Sequence, residues 1–133
     1  MLRISKMTDY AFVILAFLTK EPTKYYQANE IASQTKVSKP TVSKVLKTLA
    51  KHGLVDSYRG VYGGYKMNKV PSQISVAEII QVLEGPMAIM ACTLGMDQCA
   101  ISSNCQIQAP WHKINHMVFS TLDAVKLSDL YQS

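Results

Sequence analysis

The chain has 133 residues and a formal net charge of +5, enough for one modest domain with its own core. No apolar run approaches the roughly 18 residues of a membrane span, and the first residues lack the basic, apolar and small-residue sections of a signal peptide. These features point to a reducing cytoplasm, where three cysteines read as ligands or redox thiols rather than as a disulfide framework.

The charge is uneven. Residues 1–66 hold eleven Lys/Arg against four Asp/Glu, and residues 67–133 hold three against five. The first half is therefore the polyanion-binding half. Its first element is a helix over residues 5–20, with Tyr10, Val13, Ile14, Phe17 and Leu18 at helical intervals and Glu21-Pro22 as the stop. Thr23 to Tyr26 is a short connection.

Two helical patterns follow, separated by a tight polar break. In the second, Val42, Val45, Leu46 and Leu49 fall at i, i+3, i+4 and i+7 and form a buried stripe. Ser38 is placed as an N-cap whose hydroxyl accepts from a backbone N–H. Pro40 sits in the first turn, where its missing donor costs little. Gly53 is placed to end the helix in a left-handed conformation. The opposite face shows Ser43, Lys44, Lys47 and Lys51. Leu54–Tyr58 and Tyr65–Met67 then pair as a hairpin around Gly60, Gly63 and Gly64, with Arg59 at the shoulder of the tip.

Helix, turn, basic helix and glycine-tipped hairpin make a winged helix-turn-helix. Such a helix suits the major groove of double-stranded DNA, and an arginine on a thin loop suits the minor groove. Ser38, Lys39, Thr41 and Ser43, near the helix N-terminus, are the candidates for base contacts. Lys44 and Lys47 are the candidates for phosphates. Arg59 and Tyr62 are the candidates on the wing. A solvated helix with scattered lysines is the competing reading of the helix alone.

After the wing, Ser75-Val-Ala-Glu78 is a capping box. Val76, Ile79, Ile80 and Leu83 form the stripe of a helix ending near Gly85-Pro86. Residues 87–104 have few charges and no clear period, and a long segment of that kind is commonly functional. A second capping box, Ser103–Gln106, opens a last long helix over roughly residues 104–124, with Trp111, Ile114, Val118, Leu122 and Val125 in a stripe. Met117 and Phe119 widen its apolar surface beyond what a small domain covers. That points to a homodimer, whose two-fold symmetry matches a near-palindromic site. Leu127–Leu130 is a short final turn.

The expected fold is mainly α (α+β). A winged helix-turn-helix region spans 1–84, a cysteine loop 85–105, and a dimerisation helix with its tail 106–133. Cys92, Cys99 and Cys105 lie within about a dozen residues and can converge on one metal centre; soft thiolates favour iron–sulfur clusters, zinc or copper(I). The paired C-x2–4-C spacing of structural zinc is absent. A colourless thiol switch built on the same three cysteines is the alternative. An enzyme is not expected, since no acid–base pair, nucleophile elbow or phosphate loop stands out.

The whole chain resembles the winged-helix iron–sulfur regulators typified by the iron–sulfur-cluster regulator IscR and the nitric-oxide sensor NsrR, and in appearance most the SUF-system assembly regulators. The matching pieces are residues 1–11, Lys39–Lys47, His52–Val55, Arg59–Tyr65, Ile74–Ile80, the three cysteines and Trp111–Asn115. The resemblance implies a dimeric DNA-binding sensor of cluster status, oxidants or nitric oxide, holding an iron–sulfur cluster and controlling assembly genes; 2Fe–2S is the favoured cluster type and 4Fe–4S stays open. It departs in two places. Gln108 stands where those regulators have a histidine ligand, and Ser43 where they have a glutamate on the reading helix. The fourth ligand is thus open among Asp9, Glu84, Asp97, His112 and His116. Thr8-Asp-Tyr-Ala11 resembles the N-terminus of the nitric-oxide sensors, which implies Asp9 reaching the partner chain's cluster; His112 is the second choice. The competing role for Asp9 is to favour the positive end of the first helix.

Overall fold

A computed structural model of the chain describes residues 4–61, 63–86 and 108–131. Its elements run α1 (Lys6–Thr19), α2 (Ala28–Thr35), α3 (Lys39–Lys51), β1 (Val55–Tyr58), β2 (Gly64–Met67), α4 (Val76–Glu84), α5 (Gln108–Ala124) and α6 (Leu127–Tyr131). The winged helix-turn-helix expected from the sequence is the fold observed, mainly helical with one small antiparallel hairpin. Cys92, Cys99, Cys105, Asp97 and the capping box at 103–106 lie outside the described residues, as does Tyr62.

The core is built where the apolar stripes meet. Ile14, Leu15 and Leu18 of α1, Ile31 of α2, and Val42, Val45, Leu46 and Leu49 of α3 are all fully buried. Together with Leu54, Ile74, Ile79 and Leu127 they form one cluster. The face of α1 differs from the sequence reading: Val13 is 40% exposed and Tyr10 and Phe17 are half-buried, whereas Ala11 and Leu15, outside the expected stripe, are fully buried. The run from Ala11 to Leu18 is apolar nearly all round, so periodicity leaves its inward face undecided, and packing against α3 chooses it.

Caps follow the sequence with two differences. Ser5 caps α1 by accepting from the Thr8 N–H at 3.3 Å, and Ser75 caps α4 by accepting from the Glu78 N–H at 3.0 Å. The Glu78 carboxylate takes the Lys69 ammonium at 2.9 Å, so among the described contacts the capping box is closed on one side only. Ser38 stands at the N-cap of α3 in extended backbone, yet its hydroxyl donates to Thr41 Oγ1 at 2.9 Å and makes no cap bond to a backbone N–H. Lys36, at φ +63°, makes the turn between α2 and α3, and Gly53 follows α3 at φ +76°.

The hairpin pairs Val55 with Met67 and Tyr58 with Gly64. The connection before α2 adds a third edge. Tyr26 N–H donates to Tyr65 O at 2.9 Å, and Tyr65 N–H donates to Tyr26 O at 2.7 Å. At the far end, Val76 N–H donates to Val125 O and Leu127 N–H to Ile74 O, which docks α6 beside α4. Tyr131 Oη donates to Phe12 O at 2.7 Å, and burial pushes its phenol up to about 12.

Candidate nucleic-acid interface and the corner of α1 and α4

Residue types with a use on nucleic acid gather on one side. Burial of Val42, Val45, Leu46 and Leu49 turns the other side of α3 to solvent. Ser38, Lys39, Lys44 and Lys47 are exposed there, with Thr41 and Ser43 half-buried. All six candidates of the helix therefore share one open surface. Arg59 is exposed at the end of β1, and a groove of about 410 Å³ separates it from α3. Lys47, Lys51, Ser57, Tyr58 and Arg59 line it, with Gly64 and Tyr65 along the floor strand. Three cations thus face one channel between helix and wing. When a helix lies in the major groove and a wing in the minor groove, the backbone strand dividing the grooves runs through such a channel.

Sequence reasoning left several of these residues out. Tyr58 is 58% exposed, its ring 5.7 Å from that of Tyr25, and Lys66 Nζ lies 4.9 Å from the Tyr25 ring centroid. Ser57 and Tyr58 belong to the outward end of β1, whose burial falls away towards the tip. That trend is a weak sequence signal, and a pair 33 positions apart such as Tyr25–Tyr58 leaves none.

The other chemistry gathers at the start of α1. Asp9 is exposed in its first turn, and among the described residues its carboxylate has no hydrogen-bond or ion-pair partner. Glu84, the last residue of α4, comes to the same corner. Its Oε1 accepts from the Ser5 N–H at 2.6 Å and from the Thr8 hydroxyl at 3.0 Å. Burial pushes the Glu84 carboxyl up, but the bonds from Ser5 and Thr8 more than reverse this and hold it below the usual glutamate range. Glu84 is thereby engaged as a clamp between two helices. His112 is exposed near the start of α5, and His116 Nε2 lies 3.4 Å from Ser120 Oγ. Among the described residues no three His, Cys, Asp or Glu side chains converge.

The sequence matches the family model Rrf2, described as an iron-dependent transcriptional regulator, over residues 4–133. The chain belongs to the Rrf2 family. Among its relatives, the HTH-type transcriptional regulator NsrR of Oceanobacillus iheyensis is 31% identical over 134 residues, covering 99% of this chain and 91% of its own. The structure of CymR, the global cysteine regulator of B. subtilis, superposes with a TM-score of 0.75 at 30% identity, covering 98% of this chain and 97% of that one. T. potens IscR superposes with a TM-score of 0.69 at 26% identity, covering 97% and 85%. This Rrf2 chain is accordingly a DNA-binding transcription regulator and not an enzyme. No helix among its described residues is long and apolar enough to cross a membrane.

Proposed function

We propose that this Rrf2 protein is a homodimeric, cytoplasmic regulator that reads a near-palindromic DNA site with α3 and the wing, and that an iron–sulfur cluster held by Cys92, Cys99 and Cys105 tunes its grip. The open surface shared by Ser38, Lys39, Lys44, Lys47 and Arg59 supports the DNA half of this reading. In it, Ser38, Lys39, Thr41 and Ser43 face base edges, Lys44 and Lys47 neutralise phosphates, and Arg59 with Tyr62 enters the minor groove. Residues 1–84 read DNA, 85–105 form the sensing loop, and 106–133 pair with the partner copy. Ile114, Met117, Val118, Thr121 and Leu122 of α5 line an apolar depression, with Ile114 41% and Met117 58% exposed, and this suits a second α5.

One observation carries the sensing half. The Glu84 clamp holds the end of α4, the last element before the cysteine-bearing stretch of sequence, against the start of α1, whose first turn carries Asp9. Three soft thiolates and one carboxylate without a partner among the described residues make a donor set that suits an iron–sulfur cluster with a labile fourth position. When bound, such a cluster supplies reactivity towards oxidants and nitric oxide. Asp9 is the fourth ligand in this reading, and His112 is the alternative. SUF-type assembly genes are the proposed targets, and a 2Fe–2S centre the proposed form.

Anaerobic reconstitution tests the proposal. A brown protein with visible charge-transfer absorption is expected, lost on substitution of any of the three cysteines and altered in Asp9→Ala. An unchanged spectrum in Asp9→Ala with a changed one in His112→Ala would move the fourth position to His112. A colourless protein that forms reversible disulfides would replace the cluster with a thiol switch.

A further inference from the structure

The wing carries an apolar side chain that the DNA reading has not used. Val61 is 84% exposed, the most exposed large apolar side chain among those of the described residues. It follows Gly60 in a turn closed by the Gly63 N–H donating to Gly60 O at 3.0 Å. Such turns ordinarily take Gly, Pro, Asn, Asp or Ser at their centre, because these residues supply the backbone angles or local hydrogen bonds. A branched apolar residue does neither.

The turn is also held in place. Gln27 Nε2 donates to Val61 O at 3.2 Å, linking residues 34 positions apart. Gln27 occupies the N-cap of α2 but makes no side-chain cap bond there. Its amide is directed to the wing instead of to the helix. Since α2 packs against α3, the bond fixes the wing tip relative to the reading helix.

We infer that Val61 is a specificity-determining apolar contact in the minor groove, and that Gln27 is the residue that positions it. This rests on the reading of α3 in the major groove and the wing in the minor groove. Arg59 answers the negative potential of the groove at the wing's shoulder. Val61, pinned at the tip, presses its branched face between sugar edges and base edges. An apolar wedge of this kind is accommodated most readily where the base step opens easily, as pyrimidine–purine steps do. The pair therefore makes affinity depend on the deformability of the step beneath the wing, where no hydrogen bond reads a base.

The test uses the full-length protein and a DNA duplex that the wild type selects from a randomised pool. Val61→Ala and Gln27→Ala are compared with wild type across a salt series, and each variant repeats the selection. Val61→Ala should bind the duplex about five- to thirtyfold more weakly, by lost apolar contact, with an unchanged salt slope because no phosphate contact is removed. Its own selection should lose a pyrimidine–purine preference at the wing position. Gln27→Ala should show a similar loss, and the double variant little more than either alone. Circular dichroism checks that each variant keeps its helices. Val61→Ala affinity within twofold of wild type with the same step preference, or a loss accompanied by a smaller salt slope, overturns the inference. Lys47→Ala run alongside separates the two levels: if it leaves the salt slope intact, the underlying orientation of helix and wing has failed, whatever Val61 does.

Discussion

Gly64→Ala meets both a positive φ and a close backbone approach in the wing. Gly64 sits at φ +154°, a region open to glycine and nearly closed to other residues. A Cβ built there would lie 2.6 Å from the Tyr26 carbonyl carbon and run into its oxygen. That oxygen accepts from the Tyr65 N–H, and the Tyr26 N–H donates back, so the added methyl group breaks both bonds of the third edge. Each such bond contributes about 1 kcal/mol net, and forcing a non-glycine residue into this region costs on the order of 1–3 kcal/mol. A loss of about 3–5 kcal/mol is expected, a large share of the roughly 5–15 kcal/mol that holds a domain together. In urea unfolding, a slope of about 2 kcal/mol per molar turns this into a midpoint lower by roughly 2 M, with the slope itself unchanged. Gly53→Ala provides the comparison. It has φ +76° but nothing within 4 Å of its added Cβ, so it should cost only the left-handed strain of about 1–2 kcal/mol. DNA affinity should fall in Gly64→Ala beyond what unfolding explains, because Gly64 lines the channel between α3 and the wing. Equal midpoints for the two variants would refute the argument, since they differ in the close approach.

Lys47→Ala and Lys44→Ala should each lower the salt slope of DNA binding by about one and weaken all sequences alike, measured by fluorescence anisotropy across a salt series. Glu84→Gln should loosen the corner between α1 and α4 by less than about 1 kcal/mol, because the carboxylate is largely solvent-exposed. Its acid is stronger folded than unfolded, so its contribution is present above the ordinary glutamate range and lost as pH falls through the folded value. Acid unfolding of Glu84→Gln should lack that component. Tyr131→Phe should cost about 1 kcal/mol by loss of the bond to Phe12 O. With its phenol raised to about 12, Tyr131 adds stability that is full below about pH 10 and lost as pH rises through about 12; alkaline unfolding of the phenylalanine variant should lack that step.

The sequence by itself determined the order and type of the elements. Val42, Val45, Leu46 and Leu49 recur at the helical period and Pro40 fits only a first turn, so α3 and its inward face were legible within a few residues. The glycines at 60, 63 and 64 marked the wing, and the clustering of lysines marked the basic half of the chain. The surplus apolar surface of α5 was equally plain, since Ile114 of the stripe and Met117 beyond it are exposed. Tertiary structure decided what lies between elements. It turned Val13 outward, because a run apolar on every side carries no period to fix its face. It drew Tyr26 into the hairpin, set Glu84 on Ser5 and Thr8, and aimed Gln27 at Val61. It also opened the channel that adds Ser57 and Tyr58 to the lysines and arginine expected there. These contacts join residues 34–79 positions apart. Periodicity, caps and turn residues act over one or two turns of chain, whereas pairings at such separations are set only when the buried stripes lock the helices together.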